Sequence, residues 1–113
     1  MIKTNQTYDL SIIIPFYKRD VFVLDILNEL DKENTYLDLN IEIIFIDSNS
    51  SINLDKIIKS YMPTSELSIK KIDTFNSASY KRNLGIKKAR SNNIISLDDD
   101  CIPGENFINV HYK

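Results

Sequence analysis

Four short apolar runs alternate along the chain with segments in which apolar residues recur every three or four positions. The runs at residues 10–14 and 41–46 are nearly continuous and rich in β-branched side chains, as is typical of buried strands. Weaker runs of the same kind lie at residues 67–72 and 93–97. The pattern therefore predicts four strands, and Pro15 is expected to end the first of them.

The segments between these runs have the spacing of helices with one apolar face. They are residues 21–30, 54–61 and 77–90. Asp20 can cap the first helix, and Gly85 costs the third about 1 kcal/mol relative to alanine. Residues 31–40 are polar and are interpreted as a connection, whereas the tail at 101–113 receives no assignment.

Strands that alternate with helices in this way predict an α/β fold with a mainly parallel open sheet and helices on both faces. The length of 113 residues fits one small domain. Because the chain stops soon after its fourth strand, we expect a partial domain over residues 1–113, with its core at 10–104.

Polar clusters follow three of the predicted strands, at residues 15–19, 47–50 and 98–100. In open α/β sheets, ligands bind beyond the carboxyl ends of the strands. The three clusters are therefore expected to meet along one edge of the sheet.

The third cluster is the triplet Asp98-Asp99-Asp100. Adjacent carboxylates repel one another unless a cation or solvent screens them, and Mg²⁺ or Mn²⁺ prefers one or two carboxylates together with substrate phosphates. If the triplet is extended, Asp98 and Asp100 point to one side and are the better metal candidates. The alternative is a solvated acidic turn without a metal.

Four segments, taken in order, resemble the family 2 glycosyltransferases of the GT-A fold, whose first half is Rossmann-like. They are SIIIPFYKR at 11–19, EIIFIDSNS at 42–50, RNLGIKKAR at 82–90 and IISLDDDCIP at 94–103. Each segment alone is weakly specific, but their order and spacing together are strongly specific. The resemblance implies a nucleotide-diphosphate sugar as donor and a divalent metal, Mn²⁺ or Mg²⁺, as cofactor.

The resemblance also implies roles at the first two clusters. Pro15 and Tyr17 would line the nucleobase pocket, with Arg19 nearby, although Tyr17 could instead close the core at the strand end. Asp47 would orient its loop or reach the nucleoside. Ser48 stands where the family often has a second acid that accepts a base N–H, so the nucleobase stays open although a UDP sugar is favoured.

At the other two segments, the resemblance places Arg82 and Asn83 near the donor. Arg82 would pair with the diphosphate, or alternatively with an acid on the helix surface. Asp98 would hold the ribose or the metal, Asp100 the metal, and Asp99 the donor unless it faces solvent.

An inverting transferase needs a general base to deprotonate the acceptor hydroxyl. In the family this carboxylate follows the Asp-x-Asp segment at a distance, so we expect it beyond residue 113 and assign no catalytic residue here. The chain would then bind the donor for transfer to a saccharide acceptor in polysaccharide biosynthesis without completing transfer alone. The alternatives are a non-catalytic nucleotide-sugar-binding module that serves a partner chain, and a phosphate-transfer domain of another α/β fold.

Composition narrows the setting of the protein. A net charge of -2 does not suggest a nucleic-acid-binding surface. The single cysteine, Cys101, cannot form an internal disulfide and is expected to be a small packed thiol. No apolar run is long enough for a transmembrane segment, and the predicted location is the cytoplasm, including the inner face of the membrane.

Overall fold

The computed structural model describes residues 8–49, 51–75 and 77–112, which form four strands and four helices. The elements in chain order are β1 (Leu10–Phe16), α1 (Asp20–Leu37), β2 (Ile41–Asp47), α2 (Ile52–Ser60), β3 (Leu67–Asp73), α3 (Ala78–Lys88), β4 (Ile94–Ser96) and α4 (Phe107–Tyr112). Across these ranges, no helix combines the length and the apolar character needed to cross a membrane.

The strands form one parallel sheet in the order β3-β2-β1-β4. Phe16 at the end of β1 pairs with Asp47 at the end of β2, and Asp47 pairs with Asp73 at the end of β3. Three strands therefore end at the same level, and the segments that follow them share one edge of the sheet. We call this the carboxyl edge.

Both faces of the sheet are covered by helices, as the alternation of elements predicts. On one face, alternate residues of β1 such as Leu10 and Ile12 pack in a large core with α1, α2 and α4. On the other face, Ile13 and Ile44 pack against α3 through Leu84. The near-continuous apolar runs of β1 and β2 are explained by this burial on both sides.

Strand β1 continues through Pro15 to Phe16, so the prediction that Pro15 ends the strand is wrong. Odd-numbered residues of β1 bond with the β4 side: Ser11 N–H donates to Asn93, and the Ile13 carbonyl accepts from Leu97. Pro15 comes after the last of these bonds. Its missing N–H therefore leaves no gap in the ladder.

Helix α1 runs to Leu37, so the interpretation of residues 31–40 as a connection is wrong. Three polar residues of its last turns, Asp31, Glu33 and Asn34, are buried, and each has specific partners. Asp31 accepts hydrogen bonds from the backbone and hydroxyl groups of Thr64 and Ser65. Asn34 donates to the Leu39 carbonyl and accepts from its N–H. These hydrogen bonds stabilise the end of α1, where the sequence has no apolar face to pack against the core.

Glu33 explains the helix α4, which lies in a segment where the hydrophobic pattern predicts no element. Its two carboxylate oxygens accept the N–H groups of Ile108 and Asn109 at 2.7 and 2.8 Å, in the first turn of α4. A short helix is marginal alone, and here it is held by this buried carboxylate and by Ile108 in the core.

The prediction that Asp20 caps α1 is wrong. Asp20 is the first residue of the helix, and the cap position is Arg19. The carboxylate of Asp20 instead accepts hydrogen bonds from Ser51 Oγ and Asn53 Nδ2 at the start of α2. It therefore links the beginnings of two helices at the carboxyl edge.

Replacing Asp31 with asparagine should make the chain less stable and less sensitive to acid. Burial alone would raise the pKa of Asp31, but the hydrogen bonds from Ser65 and Thr64 outweigh it and lower the pKa. The stabilisation is therefore complete above the unfolded-state value of about 3.9 and is lost as the pH falls through the lower folded-state value. Urea unfolding at neutral pH should show a loss of about 1–3 kcal/mol in Asp31→Asn.

The matched control is Asp25→Asn, since Asp25 is exposed on the same helix. Its unfolding free energy should show the same loss in acid as that of the wild type, because the contacts of Asp31 are intact. An acid dependence in Asp31→Asn as steep as that of the wild type would contradict the assignment.

Candidate functional site

A cavity of about 350 Å³ opens at the carboxyl edge where β1, the start of α3 and the segment after β4 meet. Its lining is polar and charged apart from the end of β1. The lining residues are Pro15, Phe16, Tyr17, Lys81, Arg82, Asp98, Asp99 and Asp100. Two of the three predicted polar clusters thus line one cavity, and the third lies beside it through the register of β1 and β2.

Tyr17 follows the last residue of β1, and its side chain is 41% exposed. The alternative that it closes the core does not fit this exposure. Lys18 adopts a left-handed backbone, with φ of 58°, which turns the chain away from the strand direction toward α1. The amines of Lys18 and Lys81 lie 5.1 and 5.5 Å from the centroid of the Tyr17 ring. The ring is therefore an exposed aromatic surface with two lysine amines within cation–π range.

Asp47 ends β2 and is fully buried. Its carboxylate accepts the backbone N–H groups of Asn49 and Ser51 at 2.9 and 2.7 Å, and Lys71 Nζ lies 3.6 Å away. Of the two predicted roles of Asp47, orientation of the loop is the one that these contacts perform. Lys71 also pairs with Asp55 and Asp73, so it ties α2 and β3 to the same loop.

The acidic triplet forms a turn, closed by the Cys101 N–H bonded to the Asp98 carbonyl, rather than the extended backbone that the prediction assumed, but its side chains still divide between two directions. Asp99 turns toward β1, where it accepts the Tyr17 N–H at 2.8 Å and lies 3.8 Å from Arg19 Nε. Asp98 and Asp100 are exposed together with Cys101, and one ligand atom from each lies within 4.8 Å of the others. The alternative that Asp99 faces solvent is wrong, and so is the expectation of a packed thiol at Cys101.

Burial raises the pKa of Asp99, and the Tyr17 N–H and the Arg19 guanidinium act against this rise. These two partners therefore favour the charged form of the half-buried carboxylate.

The remaining predicted site residues lie at different distances from the cavity. Arg82 lines it, whereas its neighbour Asn83 is exposed on α3 and is not part of the lining. Arg19 is at the rim, where its Nη2 lies 4.0 Å from the Asp100 carboxylate. Ser48 is half-buried in the loop after β2. Of these four, Arg82 is thus the one placed to contact a molecule inside the cavity.

Lys81 is a site residue that the sequence analysis missed. It occupies the first turns of α3, is only 3% exposed, and donates a hydrogen bond from Nζ to the Phe16 carbonyl at 2.8 Å. Burial lowers its pKa, while the carboxylates of Asp47 and Asp99 act in the opposite direction. Its neighbours in sequence are mostly polar, so the pattern could not distinguish this lysine from solvent-facing ones.

A larger cavity of about 470 Å³ lies between α1 and α4. It is bordered by the second half of α1, including Glu29 and Tyr36, and by Glu105 and Asn109 near α4. Because α1 begins at the carboxyl edge and runs back toward the start of β2, this cavity lies away from the strand ends. The smaller cavity is therefore the candidate site.

The sequence profile described as glycosyl transferase family 2 matches residues 11–113, which is nearly the whole chain. The chain belongs to this family. The matched range contains every residue that lines the cavity at the carboxyl edge.

The chain is also similar to one curated protein in sequence and to two solved structures in fold. Glycosyltransferase GlyG of Streptococcus pneumoniae serotype 4 is 28% identical over 105 residues, which make up 92% of this chain and 34% of GlyG. The crystal structure of S. aureus TarS 1-349 matches 89% of this chain and 30% of that chain, with 20% identity and a TM-score of 0.68. A second crystal structure of S. aureus TarS gives a TM-score of 0.61 over 80% of this chain, with 23% identity.

The likeness to TarS shows the fold, an α/β sheet of the glycosyltransferase type, as the resemblance implies. The chain spans about a third of the length of GlyG and of TarS 1-349.

Proposed function

We propose that this chain is the donor-binding part of a family 2 glycosyltransferase, and that the carboxyl-edge cavity takes a nucleoside-diphosphate sugar together with a divalent cation. The observation that carries the proposal is the cavity itself. It brings an exposed tyrosine ring, an arginine and a pair of exposed acids together at the edge where α/β sheets bind their ligands.

Tyr17 supplies the surface for the nucleobase. Its ring is exposed although it follows a strand that is buried apart from Pro15. Stacking of a base on an aromatic side chain contributes about 1–3 kcal/mol and tolerates different bases. Pro15 borders the same cavity from within β1. Choice of base then falls to polar groups nearby, and UDP is the nucleotide that we favour.

The diphosphate would lie toward Arg82 and the acidic segment. The planar guanidinium of Arg82 can donate two parallel hydrogen bonds to phosphate oxygens. The carboxylates of Asp98 and Asp100 would repel the same phosphates if nothing screened them. An anionic ligand therefore fits this cavity best when a cation accompanies it.

Asp98 and Asp100 are the residues that would hold this cation. Both are exposed, and their oxygens are close enough to be shared by one ion. Carboxylate oxygens with substrate phosphates are the ligands that Mg²⁺ and Mn²⁺ prefer. When bound, such an ion supplies Lewis-acid stabilisation of the charge that develops on the diphosphate leaving group.

In this proposal the sugar is transferred with inversion to a saccharide acceptor during polysaccharide biosynthesis. The residues described here bind and orient the donor. Deprotonation of the acceptor hydroxyl is left to groups outside these 113 residues.

Titration calorimetry tests the proposal. UDP, GDP, CDP, ADP and dTDP are each titrated into the chain with Mn²⁺ and with EDTA. One nucleotide, expected to be UDP, should bind preferentially, and Mn²⁺ should tighten its binding by at least about tenfold, or about 1.4 kcal/mol. The contribution of Arg82 to nucleotide binding is measured by the same titrations with the variant Arg82→Met.

The exposed neighbour Asn83 provides the matched control for Arg82, because it lies on the same helix outside the cavity. Asn83→Ala should bind the nucleotide as the wild type does. Absence of binding for all five nucleotides in the presence of Mn²⁺ would refute the proposed function.

A further inference from the structure

Lys81 is buried at a place where burial of an ammonium group is costly. Its side chain is 3% exposed, whereas Lys87 and Lys88 on the same helix are exposed. A buried cation without partners costs several kcal/mol, so its position calls for compensating contacts. One such contact is with the peptide group between Phe16 and Tyr17.

The peptide group that joins Phe16 to Tyr17 is held at both of its polar ends. The Phe16 carbonyl oxygen accepts a hydrogen bond from Lys81 Nζ at 2.8 Å. The Tyr17 N–H donates to Asp99 Oδ2 at 2.8 Å. Carbonyl and N–H point in opposite directions within the plane of a trans peptide, so Lys81 and Asp99 lie at opposite edges of one peptide unit.

The charges of these two residues match the polarity of the peptide. The ammonium contacts the negative end of the peptide dipole, and the carboxylate contacts the positive end. Hydrogen bonds with a charged partner are stronger than those between neutral groups. Rotation of this peptide would break both of them, so the pair fixes the orientation of the backbone from which the Tyr17 side chain extends.

Lys81 also reaches the ring that it helps to place. Its amine lies 5.5 Å from the Tyr17 ring centroid, within the range of a cation–π contact. The residue after Tyr17 has a left-handed backbone, so the chain turns directly beyond the fixed peptide. Without the two charged contacts, the strand end and the turn would leave the ring free to change its orientation.

We propose that Lys81 and Asp99 form a positioning pair, which sets the Phe16–Tyr17 peptide plane and thereby holds the Tyr17 ring ready for the nucleobase. The ligand in this inference rests on the proposed function, whereas the fixing of the peptide plane by Lys81 and Asp99 does not. Lys81 acts through Tyr17 and makes no contact with phosphate. Removal of either charge therefore weakens base binding, and the loss is the same with and without a diphosphate.

The first test uses the ligand-free chain and nuclear magnetic resonance. Lys81→Met keeps the apolar stem and removes the charge, whereas Lys81→Arg keeps the charge. In Lys81→Met, the Phe16 carbonyl ¹³C resonance should shift and the Tyr17 amide should exchange at least about tenfold faster, as expected for loss of about 1.4 kcal/mol of protection. Lys81→Arg should restore slow exchange, and the control Lys87→Met should match the wild type.

The second test measures the affinities of uridine and of UDP with Mn²⁺. Lys81→Met should lower both by the same factor, between about threefold and thirtyfold. A loss confined to UDP would make Lys81 a phosphate ligand and overturn the proposal, as would unchanged exchange at Tyr17. Failure of the wild type to bind either compound would refute the proposed function alone, since the exchange measurement needs no ligand.

Asp99→Asn covers the case in which Lys81→Met does not fold. The amide keeps an acceptor oxygen but loses the charge, so Tyr17 exchange should again rise. Where both single variants fold, the double variant should exchange little faster than either one, because both act on one peptide. Additive effects would contradict a shared role.

Discussion

Substitution of Gly85 by alanine is expected to lower the free energy of unfolding by about 2 kcal/mol, although alanine favours helices. A Cβ at this position would lie 2.2 Å from Cγ2 of Ile13, closer than atoms can pack. Ile13 is fully buried in the middle of the sheet and cannot move aside cheaply. The propensity gain of about 1 kcal/mol is therefore smaller than the cost of separating α3 from β1.

Urea unfolding measures this loss, and Gly104→Ala is the matched control because an added Cβ there meets no atom within 4 Å. The clash can also be removed from the other side. Combining Gly85→Ala with Ile13→Ala should cost at least about 1 kcal/mol less than the sum of the single changes. Stability of Gly85→Ala equal to or above that of the wild type would show that α3 packs differently.

The same substitution should impair the site, since α3 carries Lys81 and Arg82 into the cavity. Their positions depend on how closely the helix approaches the sheet. The glycine that the sequence analysis regarded only as a cost to α3 thus sets the distance between the helix and the strand whose end forms the site.

The two central strands, β1 and β2, could be predicted because both of their faces are buried. Ile13 and Ile44 face α3, while Ile12 and Ile43 face the other helices, so these runs are apolar apart from the buried residues Ser11 and Glu42. A continuous apolar run of this length has few alternatives. The order of elements then implied a parallel sheet, which the structure confirms.

The end of α1 and the helix α4 could not be predicted, because polar side chains stabilise them. Asp31, Glu33 and Asn34 are buried, and their partners lie about 5 to 76 positions away along the chain. An apolar periodicity contains no signal for such bonds. The apolar periodicity therefore ends at Leu30, whereas helix α1 continues to Leu37.

Within the site, the meeting of the polar clusters could be predicted, but the direction of individual side chains could not. The ends of parallel strands must share an edge, which placed Tyr17, Asp47 and the acidic triplet together. Whether Asp47 and Asp99 face a ligand depends on backbone N–H groups of neighbouring loops. Those groups are common to all residue types, so no sequence pattern reveals them.

The double substitution of Asp98 and Asp100 by asparagine should abolish the part of nucleotide binding that depends on metal. Affinity for UDP with Mn²⁺ should fall at least about tenfold, to the level that the wild type shows with EDTA. Affinity for uridine should stay unchanged, since neither carboxylate contacts the Tyr17 peptide. Glu105→Gln, which removes an exposed acid outside the triplet, should leave all these values as they are.

Stability separates this result from simple damage to the fold. Asp98 and Asp100 are exposed and close to each other, so removal of their charges relieves repulsion and should keep or slightly raise the free energy of unfolding. The variant Asp99→Asn should differ from this double variant, because it should weaken the binding of uridine. Undiminished enhancement by Mn²⁺ in the double variant would place the metal elsewhere. Loss of uridine binding in that variant would show that the three acids act as one cluster rather than in two separate roles.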